Sequence, residues 1–331
     1  MTMGLIGWLL WGRGHGVGEL ARRLDIERRD IRRFQPQYRE FTISKRSGGR
    51  RKIFAPNDEL KKLQRRILRR LLARLRAHPA AHGFERRRSI VTNASAHQDQ
   101  DVVMRFDLVD FFPSTSEHRV KRYFRRIGWN RPAAKILTRL CTYNGGLPQG
   151  APTSPRLSNT INYLLDSRLA GMINAIGGAY TRYADDITIS FSQEAEEDWG
   201  IRSGPAPPFT LRKHPEKIRY IRAFVRRAVR EAGYQVHRGK KMNVRRRHHR
   251  QEVTGLVVND HVNLPRKTRR WLRAVEHRAR LLSQDREQSR YVMRKRPTLT
   301  PLQLAGWRAY RAMVLNGTGK TANATATRSH K

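Results

Sequence analysis

One cysteine, Cys141, is all that 331 residues contain. A lone thiol can neither close an internal disulfide nor build a thiolate metal site, so disulfide-stapled scaffolds and zinc fingers are excluded and a reducing, cytoplasmic setting fits. Long apolar runs are missing too. Nowhere do ~18 apolar residues follow one another, so no segment reads as a membrane span. The opening M-T-M-G-L-I-G-W-L-L-W has neither the basic start nor the small-residue cleavage site of a secretory signal, and reads as an amphipathic segment packed on the body. No internal repeat is visible, and low complexity is confined to a flexible tail, residues 317–331.

Negative charge is scarce as well. The 27 acidic residues face 69 lysines and arginines, a net charge of +42, which is self-repelling unless a polyanion neutralises it. The basic residues run through the whole sequence rather than forming one patch beside a lipid anchor, which favours nucleic acid over a membrane surface. With 38% hydrophobic residues, the chain is apolar enough for a large core or several subdomains.

Residues 15–34 read as two short helices, and F-T-I-S-K-R-S-G-G-R-R-K-I-F-A-P (41–56) as a hairpin turning at Gly48-Gly49. After Asn57 and Asp58 as capping candidates, Leu60, Leu63, Ile67, Leu71 and Leu75 form one helical stripe. Residues 155–176 read as a single helix with Leu157, Ile161, Leu164, Leu165, Leu169, Met172 and Ile176 on its buried side, stopped by Gly177-Gly178. An acidic and then proline-rich loop (194–208) precedes a helix from Pro215 and short strands around E-V-T-G-L-V-V-N (252–259). The region from Pro265 is basic and helical, with Leu272, Val275, Ala279 and Leu282 as its stripe.

The chemistry gathers on two strand-like stretches. In V-V-M-R-F-D-L-V-D-F-F-P (102–113), Met104, Phe106 and Leu108 point one way and Arg105 and Asp107 the other. In G-A-Y-T-R-Y-A-D-D-I-T-I-S-F-S (178–192), Ile187, Ile189 and Phe191 share a face, with Asp186, Thr188 and Ser190 on its reverse. Asp185 and Asp186 are adjacent carboxylates that repel each other, so a cation is expected beside them. Asp107, Asp185 and Asp186 together are the donor set that two hard cations about 3.5 to 4 Å apart require, and Mg2+ is the expected guest. Asp110, before Phe111-Phe112-Pro113, reads as a turn or cap residue. His248 and His249 lie in a run of arginines that repels cations, and read as surface residues.

Y-A-D-D (183–186), F-D-L-V-D-F-F (106–112) and L-P-Q-G-A-P-T-S-P-R-L-S-N (147–159) resemble the catalytic blocks of reverse transcriptases, in their usual order. N-A-S-A-H (93–97) and V-T-G (253–255) resemble signatures of the retron type, and the likeness runs from about Tyr38 to Leu315. It implies an α+β right-hand polymerase: N-terminal helices and fingers (1–100), a palm of antiparallel sheet backed by helices (101–260, with 194–214 as an inserted loop) and a basic helical thumb (261–316).

Carried over residue by residue, the resemblance makes Asp107, Asp185 and Asp186 the ligands of two Mg2+ ions, with the Leu108 carbonyl assisting. Phe112 lies beneath the incoming sugar, Gln149 against the nucleotide, and Arg51 and Lys45 on the triphosphate. Lys241, or Lys240 beside it, stands near the pyrophosphate. Asn93, His97, Val253, Thr254, Gly255, Arg266, Arg269 and Arg270 contact RNA. The implied function is copying of a cognate structured non-coding RNA into RNA-linked single-stranded DNA, primed from a guanosine 2′-hydroxyl, using dNTPs, in antiphage defence beside an effector or toxin protein. Two other readings stay open: a group II intron-like or other stand-alone reverse transcriptase, and a non-catalytic RNA-binding protein. Carboxylates facing a polyanion weaken binding unless cations intervene, which speaks against the second.

Overall fold

The structure, a computed structural model, describes residues 14–44, 48–192, 214–237, 243–284 and 299–326; the opening apolar segment, Lys45, most of the 194–214 insertion, Lys240 and Lys241 lie outside the described residues. Helices α1 (Val17–Leu24) and α2 (Arg28–Arg33) come first, then the antiparallel hairpin β1 (Tyr38–Ser44) and β2 (Arg50–Pro56). Helix α3 (Asp58–Ile67) is capped where expected, the Leu60 amide donating to Asn57 Oδ1 at 3.0 Å, and runs on into a π turn over Leu68–Leu72. Its stripe is buried through Leu71. It packs with α1, α6 (Glu117–Arg126), α7 (Arg131–Cys141) and α8 (Ser154–Ile161) into one core, in which Cys141 is a packed thiol pushed up to about 12 by burial.

A second core lies behind the central sheet. Strands β3 (Val102–Asp107), β4 (Gly178–Tyr183), β5 (Asp186–Phe191) and β6 (Asn243–Arg246) pair antiparallel in the order β4-β5-β3-β6. Met104, Phe106, Ile187, Ile189 and Phe191 point back onto α9 (Tyr163–Ala175) and α10 (His214–Glu231). Each such side chain contributes about 2 kcal/mol by leaving water. The V-V-M-R-F-D-L-V-D-F-F-P stretch is a strand only as far as Asp107; Asp110, at φ 44°, turns the chain into the short helix α5 (Phe111–Ser114).

The helix expected over 155–176 is two helices, broken at Asn162. Asn162 donates to Ser158 O and Tyr234 Oη and accepts from Arg119, and the break rotates one apolar stripe into two. Leu157 and Ile161 enter the first core, Leu165, Leu169 and Ile173 the second, while Leu164, read as buried, is 63% exposed.

In front of the sheet, α4 (Ile90–Ser95) and the hairpin β7 (Glu252–Val253) and β8 (Leu256–Val257) form a third cluster with Val103 and with Val314 of the last helix, α12 (Pro301–Ala326). Thr254 and Gly255, at φ 48° and 81°, are the two turn residues of that hairpin, as a primed turn requires. A fourth cluster joins Leu272 and Val275 of α11 (Arg266–Gln284) to Leu304 of α12. No helix among the described residues is long and apolar enough to cross a membrane.

Candidate active site

Asp107 closes β3 directly opposite Asp186, the first residue of β5. Residues opposite each other on antiparallel strands project to the same face, so this register sets the two carboxylates side by side on the front of the sheet. Asp185 joins them through the backbone, its carbonyl accepting from the Leu108 amide at 3.0 Å. On the other flank the His237 amide donates to Asp107 O at 2.8 Å, extending β3's pairing beyond β6.

The turn carrying Ala184 and Asp185 is held from behind. Ala184 sits at φ 58°, a strained value for a residue with a Cβ, and such strain persists only where the surroundings fix it. Arg182, fully buried, donates Nη1 to Ala184 O at 3.0 Å and to Asn159 Oδ1 at 3.2 Å, and Nε and Nη2 to the two oxygens of Asp166 at 2.8 and 2.7 Å. Tyr180 Oη adds a third bond to Asp166. Asp166 raises the basicity of the guanidinium against the opposing effect of burial, so Arg182 stays a cation in the interior. From outside, residues 80–82 pair with Arg182 along the β4 edge. Gly83 follows, so close that a Cβ on it would lie 2.6 Å from the Ala184 amide.

Arg105, two residues before Asp107 on the same face, places Nη2 at 3.2 and 3.1 Å from the oxygens of Asp186. Among the described residues no three His, Cys, Asp or Glu side chains are arranged to enclose an ion. The donor set still fits a hard divalent cation: the paired groups are carboxylates, hard oxygen ligands, and a positive guanidinium already stands against one of them.

The other expected residues divide. Phe112 is half-buried beside Phe111, and its ring centre is 6.0 Å from that of Phe84, an exposed aromatic at φ 63° that the sequence reading passed over. Gln149 abuts the β1/β2 hairpin, its carbonyl accepting from the Phe54 amide at 2.9 Å. Arg51 is exposed on β2; by the two-residue alternation it shares the face of Ile53, whose Cγ2 approaches Gly150. Arg266, Arg269 and Arg270 are exposed on the first turns of α11.

Asn93 and His97, read as RNA contacts, are interior residues. His97 sits between Ser190 Oγ and Thr181 Oγ1, 2.7 Å from each, and burial lowers it to about 3. It pins the segment after α4 across the front of β4 and β5. Val253 is buried against that helix and Thr254 donates to Ile90 O at 3.0 Å, so of the V-T-G signature only Gly255 is exposed. The two signatures are thus neighbours in one cluster. Arg182 and Asp166 were missed, although the alternation that puts Tyr180 on the core face of β4 puts Arg182 there too. A buried arginine demands a buried acid.

Set beside known proteins, residues 43–258 match the family described as reverse transcriptase (RNA-dependent DNA polymerase). The chain is 39% identical over 264 residues to the Retron Mx162 reverse transcriptase of Myxococcus xanthus, covering 72% of this chain and 52% of that one. It is 40% identical over 156 residues to the Retron Ec86 reverse transcriptase of Escherichia coli, covering 46% of this chain and 49% of that one. The chain spans about half the length of the curated relatives it matches. A solved telomerase from Candida albicans, in complex with a telomeric RNA fragment, aligns with 72% of this chain and 46% of its own at a TM-score of 0.46 and 11% identity, below the level at which a shared fold follows.

Proposed function

The chain belongs to the reverse transcriptase family and within it to the retron type, with the right-hand polymerase fold of that family, and from this premise we propose that it copies a structured RNA into DNA. The observation that carries the reading is the cross-strand pair Asp107 and Asp186, set by register at the mouth of a braced Y-A-D-D turn with a cation against it. Asp107, Asp185 and Asp186 are the residues to hold two Mg2+ ions, with the Leu108 carbonyl in support. When bound, such ions activate the attacking hydroxyl and balance charge on the phosphoryl and pyrophosphate oxygens.

The protein's own share is placement. The Arg51 fork, with Lys45, grips the triphosphate bidentately, as a planar guanidinium can. Gln149, on the block docked against the hairpin, lies along the nucleotide, and Phe112 with its ring neighbour Phe84 closes the floor beneath the sugar and excludes a 2′-hydroxyl. The role near the pyrophosphate falls to Lys241 or to Lys240 beside it. The exposed Arg266, Arg269 and Arg270 crowd the N-terminal end of α11, where a helix dipole disfavours cations, so a backbone phosphate there relieves both the dipole and their mutual repulsion. Residues 261–316 then act as the thumb on an A-form duplex read by shape.

In this reading the template is a cognate non-coding RNA, the primer a guanosine 2′-hydroxyl of that RNA, and the product a single-stranded DNA joined to it by a 2′,5′ bond, serving antiphage defence with an effector on another chain. The test is synthesis by the chain copurified with its RNA, given dNTPs and Mg2+, followed by debranching. Asp107→Asn and Asp186→Asn should each retain RNA and make no DNA. Synthesis at undiminished rate by either variant refutes the assignment, and a product that debranching leaves intact refutes the priming.

A further inference from the structure

We infer that the cavity beside the carboxylates binds a backbone phosphate of the nucleic-acid strand that carries the priming hydroxyl, and that its filling draws Arg105 off Asp186. The inference rests on the reading of Asp186 as a metal ligand and adds a second site coupled to it. The cavity, about 270 Å³, opens on the front of β3 and β6. Arg105 pairs with Asn243 and Val103 with Arg245 across those strands, so these side chains face the same way. His249 and Arg250 close the far side, and Glu252 occupies Arg250 Nε at 3.0 Å. Among the described residues three guanidiniums stand against one carboxylate, which leaves the cavity cationic. Among the described residues no aromatic ring apart from His249 lines it, and its volume is below that of a usual small-molecule pocket. It therefore suits a phosphate and its sugar rather than a stacked base.

Arg105 is the link. It reaches both Asp186 oxygens from the single nitrogen Nη2, while its Nε is buried with no hydrogen-bond partner among the described residues. A guanidinium prefers to offer two parallel N–H groups to one anion, and a phosphate in the cavity supplies that geometry. Two residues along β3 separate it from Asp107, about 7 Å of strand, so the phosphate belongs to the reacting end of the strand. While Arg105 covers Asp186 it competes with any divalent cation. Phosphate in the cavity and cation at the carboxylates thus favour each other, and by linkage each strengthens the other by one factor.

The test uses the full chain freed of nucleic acid, with Mn2+ binding read by electron paramagnetic resonance and oligonucleotide binding by fluorescence anisotropy. A short RNA should tighten Mn2+ about threefold, the scale of a half-exposed ion pair, and Mn2+ should tighten the RNA equally. Arg105→Gln should bind Mn2+ about threefold more tightly without RNA and lose the coupling. Arg105→Lys, which keeps the charge without the fork, should keep the weaker Mn2+ binding and lose RNA affinity. Arg245→Gln should weaken RNA alone. Unfolding midpoints equal to that of the unaltered chain establish that the variants are folded. Equal Mn2+ affinity in the unaltered chain and Arg105→Gln overturns the inference, and inorganic phosphate coupling as strongly as RNA overturns the assignment to a strand. A chain that binds no Mn2+ removes the metal reading itself, whereas Mn2+ bound without coupling removes only the cavity's role.

Discussion

Replacing Asp166 by Asn should cost this protein more than any change at its surface. Asp166 and Arg182 are both fully buried, and two of the bonds between them, at 2.8 and 2.7 Å, form a fork. The guanidinium cannot shed its proton, so an amide in place of the carboxylate strands a positive charge in the interior and also disturbs the Tyr180 hydroxyl. Breaking one side of a buried pair costs about 3–5 kcal/mol, which for a chain of 331 residues lowers the unfolding midpoint by roughly 4–7 °C. The loss is local as well as global, because the same arginine holds Ala184 O and hence the Y-A-D-D turn. DNA synthesis by Asp166→Asn should therefore fall further than its folded fraction does. The double variant Asp166→Leu/Arg182→Met, with no charge left inside, should recover most of the stability and little of the synthesis. Urea unfolding of the three proteins decides. If Asp166→Asn unfolds within about 1 kcal/mol of the unaltered chain, the pair does not brace the turn.

Acidification gives a second expectation. Burial holds His97 at about 3 and His82 at about 4, against 6.5 when unfolded. Below pH 6.5 the unfolded chain binds protons that the folded one refuses, so each residue removes about 1.4 kcal/mol of stability per pH unit. That loss runs down to about pH 4 for His82 and about pH 3 for His97. Stability measured from pH 7 to pH 5 should fall with a slope that His97→Gln makes shallower, and an unchanged slope contradicts the assignment. Gly83→Ala, whose Cβ would meet the Ala184 amide at 2.6 Å, should displace the turn and cut synthesis at least tenfold while RNA binding stays within about twofold; equal synthesis shows the approach to be dispensable. Phe112→Ala should let ribonucleotides compete in synthesis assays, and continued exclusion would remove this side chain from the sugar floor.

What could be read in advance followed from period and chemistry. The alternation along 102–107 and 186–191 fixes which residues face forward, so the pairing of Asp107 with Asp186 needed only the right register. Asn57 as a cap and Gly48-Gly49 near a hairpin turn are local devices, legible from a few residues. The failures were contacts between distant segments. Nothing within 155–176 signals a break, because Asn162 is fixed by Tyr234 and Arg119, which lie elsewhere in the chain. Asn93 and His97 look like surface polar residues until the hydroxyls of Thr181 and Ser190 are placed against His97. The short signatures announce a lineage without saying whether they face solvent.

The cluster in front of the sheet gathers Val91, Val253 and Val314, segments separated by most of the chain. A ribosome adding about 5–20 residues per second delivers its first and last members on the order of ten seconds or more apart. The sheet's forward layer is thus the last to close during translation. Throughout that interval the nascent chain, already strongly basic, waits beside ribosomal RNA with its carboxylate-bearing face unfinished.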